Sequence, residues 1–433
     1  MNTSPIGIDF GTTNSSIARA NGSGEIELAR FSHAAGFSNA YRSLLYLEQA
    51  KERGVSRIKS WSGPAAIEVY LAAETKGRLL QSLKSYLSSR GFKSTEVFGR
   101  RMTVEELIAR ILRDLRESAE AQFGAEVRTA VVGRPVRFVG ADTEEDNSFA
   151  EKRLRTAFQL AGYESVSFEL EPVAAAHYYE STLDHDELIL IGDFGGGTSD
   201  FSLLHVGPGI RKRGRVPGDL LGNSGLGLAG DAFDAKIIRN LVSPALGQGS
   251  LARSMKKVLP AVPNWVYAKL EHWHHVSFLR ASGIANMVNI SKATAFEPEK
   301  LEALIHLIEE DLGYILHGAV QKVKCDLSND TEALFRFSEG VIEIEATVTR
   351  TDFEEWIAEE LEKIEGCIDS LLAASGVLAG DVDKVFLTGG SSFVPAVRRI
   401  FESRFGSARI RAGNEFTSVA HGLALKAAQR DEP

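Results

Sequence analysis

Short apolar runs that end in glycine-rich turns alternate along the chain with longer stretches in which apolar residues recur at helical spacing. A short run bounded by turn residues indicates a buried strand, and apolar residues three or four positions apart indicate an amphipathic helix. Strands are predicted at Ile6–Phe10, 130–133, Glu187–Phe194, 201–206 and 385–388. Helices are predicted at Val104–Phe123, 147–161, 298–326 and 352–374. Strands that alternate with helices in this way indicate an α/β fold.

The last predicted helix has a recognisable start signal. Thr351 precedes Glu354 by three residues at the head of the apolar-periodic run. In a capping box with this spacing, the two side chains each accept a backbone N–H that the helix leaves without a partner. We therefore expect Thr351 to be the N-cap of this helix.

Residues 244–291 differ from the rest of the chain. They contain several prolines and show weak periodicity, and we interpret them as an inserted, partly helical subdomain. His272, His274 and His275 lie within this segment, with no cysteine nearby. Because their spacing does not place all three on one helix face, we interpret them as packing or surface histidines rather than as metal ligands.

Composition and charge narrow the class of protein. The 433 residues are 44% hydrophobic and 25% charged, as in ordinary globular proteins, and the length suggests roughly two or three domains or two large lobes. The formal net charge of −9, without a long basic run, argues against general nucleic-acid binding. Two distant cysteines, Cys325 and Cys367, fit a reducing compartment. Since no apolar stretch could span a bilayer and the N-terminus leaves no room for a signal peptide, we expect a soluble, cytoplasmic protein.

The first candidate for chemistry is the sequence IGIDFGTTNS, which starts at Ile6. An apolar strand delivers Asp9, and Gly11 permits a tight turn. Thr12, Thr13 and Asn14 then offer amide and hydroxyl donors to an anion. A carboxylate beside an anion cradle is reasonable when a cation bridges the two, and Mg²⁺ favours carboxylate, water and phosphate oxygens.

The second and third candidates repeat this plan. The sequence DFGGGTSDFSLL starts at Asp193, again places an acid after an apolar strand, and contains the turn residues Gly195, Gly196, Gly197 and Thr198. The sequence LTGGSSFVP starts at Leu387 and contains Gly389, Gly390 and Ser391. The first two segments form an internal echo, as expected of two similar lobes facing each other. Neither GxxxxGK[ST] nor GxGxxG follows a strand, which excludes the P-loop and Rossmann interpretations.

These motifs resemble those of the DnaK-type ATPase domain, in the superfamily of actin, hexokinase and Hsp70 proteins. The three segments are similar, in order, to its two phosphate motifs and its adenosine motif. The segments FELEPVAAA at Phe168 and GDAFD at Gly230 resemble its first connecting helix and its GGxDFD segment, and residues near Val419 resemble its second connecting helix. Gly133-Arg134-Pro135 and the segment SLKSYL at Ser82 are similar to short YegD-like members.

The resemblance implies an actin-like ATPase fold with a nucleotide cleft between two lobes, each built on a ribonuclease-H-like sheet flanked by helices. Residues 1–184 would form the first lobe, residues 185–410 the second lobe with the inserted segment 244–291, and residues 411–433 a C-terminal helix that returns to the first lobe. Because the sequence ends after the second connecting helix, the resemblance also implies that the peptide-binding module of the chaperones is missing.

The resemblance further implies that ATP or ADP binds with Mg²⁺. Asp9 and Asp193 would hold the metal through its waters, and Glu171 would orient or deprotonate the attacking water. The phosphates would contact the two threonine- and glycine-rich turns, including Thr198 as a catalytic residue. The remaining nucleotide contacts would be Gly230, Asp231, Gln321, Lys324, Cys325, Ser328, Gly389, Gly390, Ser391 and Phe393.

Two positions depart from the family pattern. Ile67 stands where the family's catalytic lysine is expected, and an apolar side chain cannot stabilise the γ-phosphate. Lys76 or Lys84 could supply the missing charge, and without a cation there we expect slow hydrolysis. In the adenine site, Cys325 and Phe393 replace two arginines, and Phe393 could stack on the base by its ring face.

Four functions remain open from the sequence. The first is an Hsp70-like, chaperone-related ATPase that a bound nucleotide switches between states, with unknown protein partners. The second, which Ile67 suggests, is a nucleotide-binding scaffold with little or no hydrolysis. The third is a small-molecule kinase of the same superfamily, although no acceptor motif is evident. The fourth is a filament-forming relative of actin.

Overall fold

The computed structural model describes residues 6–21, 25–33, 36–52, 55–73, 77–254, 257–272, 275–412 and 417–429. The strands are β1 (Ile6–Phe10), β2 (Asn14–Ala20), β3 (Ile26–Leu28), β4 (Phe31–His33), β5 (Gly36–Ser38), β6 (Tyr41–Arg42), β7 (Leu44–Glu52), β8 (Val55–Ser62), β9 (Arg78–Gln81), β10 (Ser94–Val97), β11 (Arg100–Thr103), β12 (Thr129–Arg134), β13 (Ser165–Leu170), β14 (Glu187–Phe194), β15 (Ser199–Val206), β16 (Leu220–Leu226), β17 (Leu251–Ser254), β18 (Lys257–Pro260), β19 (Glu332–Glu339), β20 (Ile342–Thr349), β21 (Lys384–Thr388) and β22 (Ile410–Ala412).

The α-helices are α1 (Gly63–Ala72), α2 (Val104–Phe123), α3 (Glu144–Leu160), α4 (Glu171–Glu180), α5 (Pro208–Arg213), α6 (Gly230–Ile237), α7 (Ser243–Ala245), α8 (Asn264–Leu270), α9 (Val276–Ala281), α10 (Ile284–Lys292), α11 (Pro298–Glu309), α12 (Gly313–Asn329), α13 (Arg350–Trp356), α14 (Ala358–Ser375), α15 (Pro395–Phe405) and α16 (Ser418–Gln429). Short helical turns of other types lie between them, including the 3₁₀ turn Leu83–Tyr86.

The chain divides into two compact units. The first contains Met1–Gly230, Lys363–Phe393 and Val397–Pro433, and the second contains Asp231–Glu362 and Val394–Ala396. Within the second unit, residues 244–291 include the hairpin β17–β18 and the helices α8 and α9. The boundaries of the two lobes expected from the sequence remain a prediction.

Two sheets in the first unit share one topology. Their strand orders are β3-β2-β1-β12-β13 and β16-β15-β14-β21-β22, so each has an antiparallel three-stranded meander whose first strand pairs in parallel with a fourth strand. In each sheet that first strand ends in one of the two acid-glycine motifs. The equal topology explains the internal echo in the sequence, because β1–β2 and β14–β15 occupy equivalent places.

Helices α4 and α16 pack against each other and connect the two sheets. Helix α16 contacts β1, β2 and β12, while α4 contacts β14 and β15. Their small residues allow this close approach: a Cβ atom at Gly422 of α16 would lie 1.7 Å from the carbonyl oxygen of Ala174 in α4. Ala174, Val419 and Leu423 belong to a buried apolar cluster that also includes Ile191 of β14. The N-terminus of α4, where Glu171 lies, is therefore held by packing from both sheets.

The predicted strands all form, and one predicted helix, Val104–Phe123, has the same bounds in the structure. The other three helices differ in their ends. Helix α3 starts three residues earlier than predicted, because Thr143 and Asp146 form a capping box. The predicted helix 298–326 is interrupted near Asp311, whose φ of 51° is left-handed, and the predicted helix 352–374 is interrupted at Ile357.

The predicted cap at Thr351 is wrong. The N-cap is Thr349, whose hydroxyl accepts the N–H of Asp352 at 3.1 Å, while the Asp352 carboxylate accepts the N–H of Thr349 at 3.1 Å. Thr349 is also the last residue of β20, so the helix begins where the strand ends. The acidic residue of this capping box is Asp352, whereas the predicted box paired Thr351 with Glu354.

Replacing Thr349 with alanine is expected to lower the free energy of unfolding by about 1 kcal/mol, because the Asp352 N–H loses the hydroxyl oxygen that accepts it. Thr351→Ala is the matched control, since Thr351 is exposed within α13, and we expect it to change stability by less than about 0.5 kcal/mol. Urea denaturation of both variants measures the difference. Equal losses would contradict the assignment of the cap to Thr349.

Candidate functional site

The first candidate loop connects β1 and β2. Ile6, Ile8 and Phe10 are buried, and alternation along the strand turns Asp9 to the opposite face. Asp9 pairs in register with Ser16 of β2. A Cβ atom at Gly11 would lie 2.2 Å from the Asn14 carbonyl oxygen, so only glycine fits this turn.

Other residues of this loop are fixed by the neighbouring chain. Thr12 is buried, and the Thr13 carbonyl oxygen accepts the Ser43 N–H at 2.9 Å. The Asn14 side-chain oxygen accepts a hydrogen bond from Arg42 at 3.1 Å. Asn14 is one of the predicted phosphate contacts, and its side-chain oxygen therefore already accepts a hydrogen bond from the protein.

The second loop connects β14 and β15 and lies beside the first. Its turn is closed by the Gly195 N–H, which donates to the Thr198 carbonyl oxygen at 2.9 Å. A Cβ atom at Gly197 would lie 3.1 Å from Oγ1 of Thr12 and 3.7 Å from Oγ of Ser85. Thus the two glycine-rich loops, which the sequence separates by more than 180 residues, come together, and the segment around Ser85 joins them.

The third loop packs behind the second. Gly389 has a φ of +82°, and a Cβ atom there would lie 2.1 Å from the Phe194 carbonyl oxygen. Both the backbone conformation and the close approach therefore require glycine. The remaining predicted residues of this loop are Gly390, the buried Ser391 and Phe393, whose exposed fraction is 47%.

A buried ion pair lies at the centre of this arrangement. Lys84, in the 3₁₀ turn Leu83–Tyr86, donates to Oε1 of Glu171 at 2.6 Å, and both side chains are less than a tenth exposed. Glu171 begins α4, followed by Pro172, which suits the first turn of a helix. Burial opposes the lysine charge, but Glu171 and Asp9 outweigh it and raise the pKa of Lys84.

Three further carboxyl groups surround this pair. Burial, followed by the charge of Glu171, raises the pKa of Asp9 to about 7, although Lys84 partly offsets both effects. Burial and then the charge of Glu171 also raise the pKa of Asp193 well above its ordinary value. For the same two reasons the pKa of Asp200 is raised to about 7, despite hydrogen bonds from Thr198 and from the Val136 and Arg137 N–H groups.

This excess of carboxylates fits a divalent cation. Four carboxyl groups act on one another and on a single lysine, and Oδ2 of the buried Asp200 accepts no hydrogen bond from any described residue. Elsewhere in the described chain, as here, no group of three or more His, Cys, Asp and Glu side chains is placed to bind a metal alone. Mg²⁺ would therefore need water and phosphate oxygens in addition to Asp9 and Asp193, which is its usual preference.

A buried lysine at a position other than 67 lies beside Glu171. Lys76 and Lys84 are the two candidates that the sequence offers for this charge. Lys84 contacts Glu171, while Lys76 lies outside the described residues. Ile67 lies in α1 and is partly buried. The cation of this centre thus comes from a different element from the one that the family pattern indicates.

The predicted adenine contacts are divided between the two units. Gly230 and the third loop belong to the first unit, whereas Asp231 and four residues of α12 belong to the second: Gln321, Lys324, Cys325 and Ser328. On α12, Lys324 pairs with Asp234 at 2.7 Å, and the Ser328 hydroxyl donates to the Lys324 carbonyl oxygen at 3.0 Å. Their contacts with a nucleotide remain a prediction.

Two residues of this region, Asp200 and Arg153, were not among the predicted site residues. Asp200 was quoted within the second motif but was not assigned a role, although an acid seven residues after Asp193 on the paired strand was a usable signal. Arg153 on α3 was not considered. It pairs with Glu105 and donates to the carbonyl oxygens of residues 86, 87, 89 and 92, directly after Lys84.

Comparisons with known proteins agree with these observations. A family model described as "Hsp70 protein" matches residues 56–255 and 309–430. The chain is 28% identical to the chaperone protein DnaK of Thermus thermophilus and 26% identical to that of Deinococcus deserti, in both cases over 98% of its own length. It spans about 60% of the length of these relatives, 60% and 59% respectively. None of the described helices is long and apolar enough to cross a bilayer.

Proposed function

This chain belongs to the Hsp70 family and has its actin-like ATPase fold, and on that basis we propose that it binds ATP with Mg²⁺ and hydrolyses it at the Lys84–Glu171 pair. The observation that carries the proposal is the 2.6 Å contact between Nζ of Lys84 and Oε1 of Glu171, next to the two convergent glycine-rich loops. Lys84 would supply the cation that Ile67 cannot. The absence of this cation was the reason to consider a scaffold that does not hydrolyse ATP.

Each group has a defined task in the proposed reaction. The backbone donors of the two loops and the Thr12 and Thr198 hydroxyls bind the phosphates. Asp9 and Asp193 would hold Mg²⁺ through its waters, and the metal would supply positive charge to the phosphate oxygens. Glu171 accepts a hydrogen bond from the attacking water and takes its proton, and Lys84 stabilises the negative charge of the terminal phosphate. Water adds to the terminal phosphorus as the bond to ADP breaks.

Under this proposal, ATP hydrolysis and nucleotide exchange would switch the protein between two states. The relatives are named chaperones, but the chain covers only part of their length. We therefore confine the proposal to ATP binding and hydrolysis, and a client or partner protein is not assigned. Retention of ATP without hydrolysis, as in a scaffold, is the main alternative outcome of the tests below.

Calorimetric titration of ATP tests the binding part of the proposal. With Mg²⁺ present we expect saturable heat, and Asp9→Asn is expected to weaken binding roughly ten- to a hundredfold, because a carboxylate that orients metal-bound water is lost. Lys322→Ala is a suitable control, since Lys322 is an exposed residue that pairs with Asp326. Heat that does not depend on Mg²⁺, or equal binding by Asp9→Asn, would count against the proposal.

Arg153 is expected to position Lys84 for this reaction. Its guanidinium holds four carbonyl oxygens of residues 86–92 and is itself buried, so its loss frees the segment that follows Lys84. Arg153→Ala should lower the hydrolysis rate roughly tenfold with little change in ATP affinity, because a small displacement of Lys84 affects the transition state most.

A second variant separates positioning from stability. Glu105→Gln removes the carboxylate partner of Arg153 but leaves its contacts with the carbonyl oxygens. We expect Glu105→Gln to unfold at a lower urea concentration and yet to hydrolyse ATP at nearly the normal rate. If both variants lose activity in proportion to stability, Arg153 has only a structural role.

A further inference from the structure

A cavity of about 380 Å³ lies outside the proposed ATPase centre, where β11 leads into α2. We call it the arginine pocket, because Arg100, Arg101, Arg110 and Arg113 line it. The end of α3, at Leu160, closes one side. Its volume falls within the range of pockets that hold small molecules. None of the residues assigned to ATP binding or hydrolysis belongs to it.

The charge of the arginine pocket is strongly unbalanced. Among the described residues of its lining, Glu106 is the one acid, and its carboxylate accepts the Thr103 N–H at 2.7 Å and so caps α2. Among the described residues, Arg100 and Arg101 have neither a carboxylate partner nor a hydrogen-bond acceptor, and both are exposed. Their donors are therefore available to a ligand.

The other two arginines are held in place by the protein. Arg110 donates to the Ser60 hydroxyl at 3.0 Å, and Arg113 donates to the Leu160 carbonyl oxygen at 2.8 Å. Burial lowers the pKa of Arg110, and the charges of Arg113 and Arg100 lower it further. The carboxylates of Asp114 and Glu106 act in the opposite direction. Fixed guanidinium groups that repel one another are a preorganised site for an anion, since binding removes the repulsion.

The floor of the arginine pocket is apolar. Met102 and Ala109 are buried beneath it, whereas Leu160 is 46% exposed despite its size. An apolar floor below a cationic rim suits a ligand that has an anionic group and a small apolar part. Arginine forks match phosphate oxygens in pairs, which favours a phosphate ester.

We propose that the arginine pocket is a second ligand site that binds a small organic phosphate, with its phosphate among the four guanidinium groups and its apolar part on Leu160. A solvated basic surface without a ligand is the alternative. The two differ in specificity, because a solvated surface attracts any anion weakly and has no preference for an apolar substituent.

Calorimetric titration of the full chain with phenyl phosphate and with inorganic phosphate tests this proposal. The titrations contain EDTA and no nucleotide, so that metal-dependent binding at the ATPase centre does not contribute. We expect phenyl phosphate to bind more tightly than inorganic phosphate. Arg101→Ala/Arg113→Ala should weaken phenyl phosphate binding roughly ten- to a hundredfold, as expected for the loss of charge-assisted hydrogen bonds.

Two control variants and one further test variant show whether phenyl phosphate binds in the arginine pocket. Arg398→Ala/Arg399→Ala removes the same charge from an exposed part of α15 and should leave the affinity unchanged. Lys84→Ala should also leave it unchanged, and Leu160→Ser should reduce phenyl phosphate to the affinity of inorganic phosphate. Equal losses in both double-arginine variants, loss of binding in Lys84→Ala, or no preference for phenyl phosphate would each overturn the proposal.

Discussion

Replacing Lys84 with alanine is expected to slow single-turnover hydrolysis of ATP by a factor of about 10² to 10³, which is typical for the loss of one group that stabilises charge in a transition state. Lys84 contacts Glu171 directly and acts on Asp9 and Asp193. Without the ammonium group, the terminal phosphate loses a cation and Glu171 becomes an unpaired buried charge. Rapid mixing of enzyme with limiting radiolabelled ATP measures the rate.

Two further variants show whether the charge or the length of the Lys84 side chain is responsible for this effect. Lys84→Arg keeps the charge but changes its geometry, so we expect a rate between those of the wild type and Lys84→Ala. Lys84→Met keeps the length of the side chain without its charge and should be as slow as Lys84→Ala. Thermal unfolding establishes that each variant is folded. A folded Lys84→Met variant with a normal rate would show that the proposed mechanism is wrong.

Replacing Gly422 with alanine is expected to destabilise the first unit by about 3 kcal/mol or more, at the upper end of the cost of overpacking. The added Cβ atom would lie 1.7 Å from the Ala174 carbonyl oxygen and 3.2 Å from the Tyr178 nitrogen. Both atoms belong to the backbone of α4, so a side-chain rotation cannot relieve the clash. Urea denaturation measures the loss, and movement of α4 should also displace Glu171 and slow hydrolysis.

Gly366→Ala is the matched control for this substitution. Gly366 also lies within a helix, α14, but no described atom outside its own helical backbone and its two neighbours lies within 4 Å of the position that its Cβ atom would take. We expect this change to be neutral or to stabilise the protein by up to about 1 kcal/mol, because alanine favours the helix. Similar effects of both substitutions would contradict the close packing of α4 against α16.

The α/β class and the two glycine-rich loops could be predicted from local sequence signals. Each loop has an acid next to the end of a buried strand, followed by glycines. In the first loop, a Cβ atom at Gly11 would meet the Asn14 carbonyl oxygen. Such constraints act within a few residues, so the sequence shows them. The strand β19 shows an equally local signal, because Phe335 and Phe337 alternate with exposed residues. The hairpin β19–β20 was nevertheless not among the predicted elements.

The position of the buried lysine could not be predicted in this way. Lys84 and Glu171 are 87 residues apart, and their contact depends on where the turn Leu83–Tyr86 lies relative to α4. The sequence restricted the choice to two lysines, and the tertiary structure shows that Lys84 contacts Glu171. Arg153 escaped prediction for the same reason, because four of its partners are carbonyl oxygens, which no residue type marks.

The helix ends show a third kind of limit. Thr349 and Thr351 both precede an acid by three residues, so the sequence offers two capping boxes. The end of β20 decides between them, and this depends on how far its pairing with β19 extends. The break near Asp311 likewise has a weak local signal, because aspartate adopts the left-handed conformation only where the surroundings require it.

A structure of the chain with Mg²⁺ and a non-hydrolysable ATP analogue tests the central claim most directly. We predict that Nζ of Lys84 lies within hydrogen-bonding distance of the terminal phosphate, with the metal between Asp9 and Asp193. A terminal phosphate that contacts a different basic group, or an analogue bound away from the two glycine-rich loops, would contradict the account.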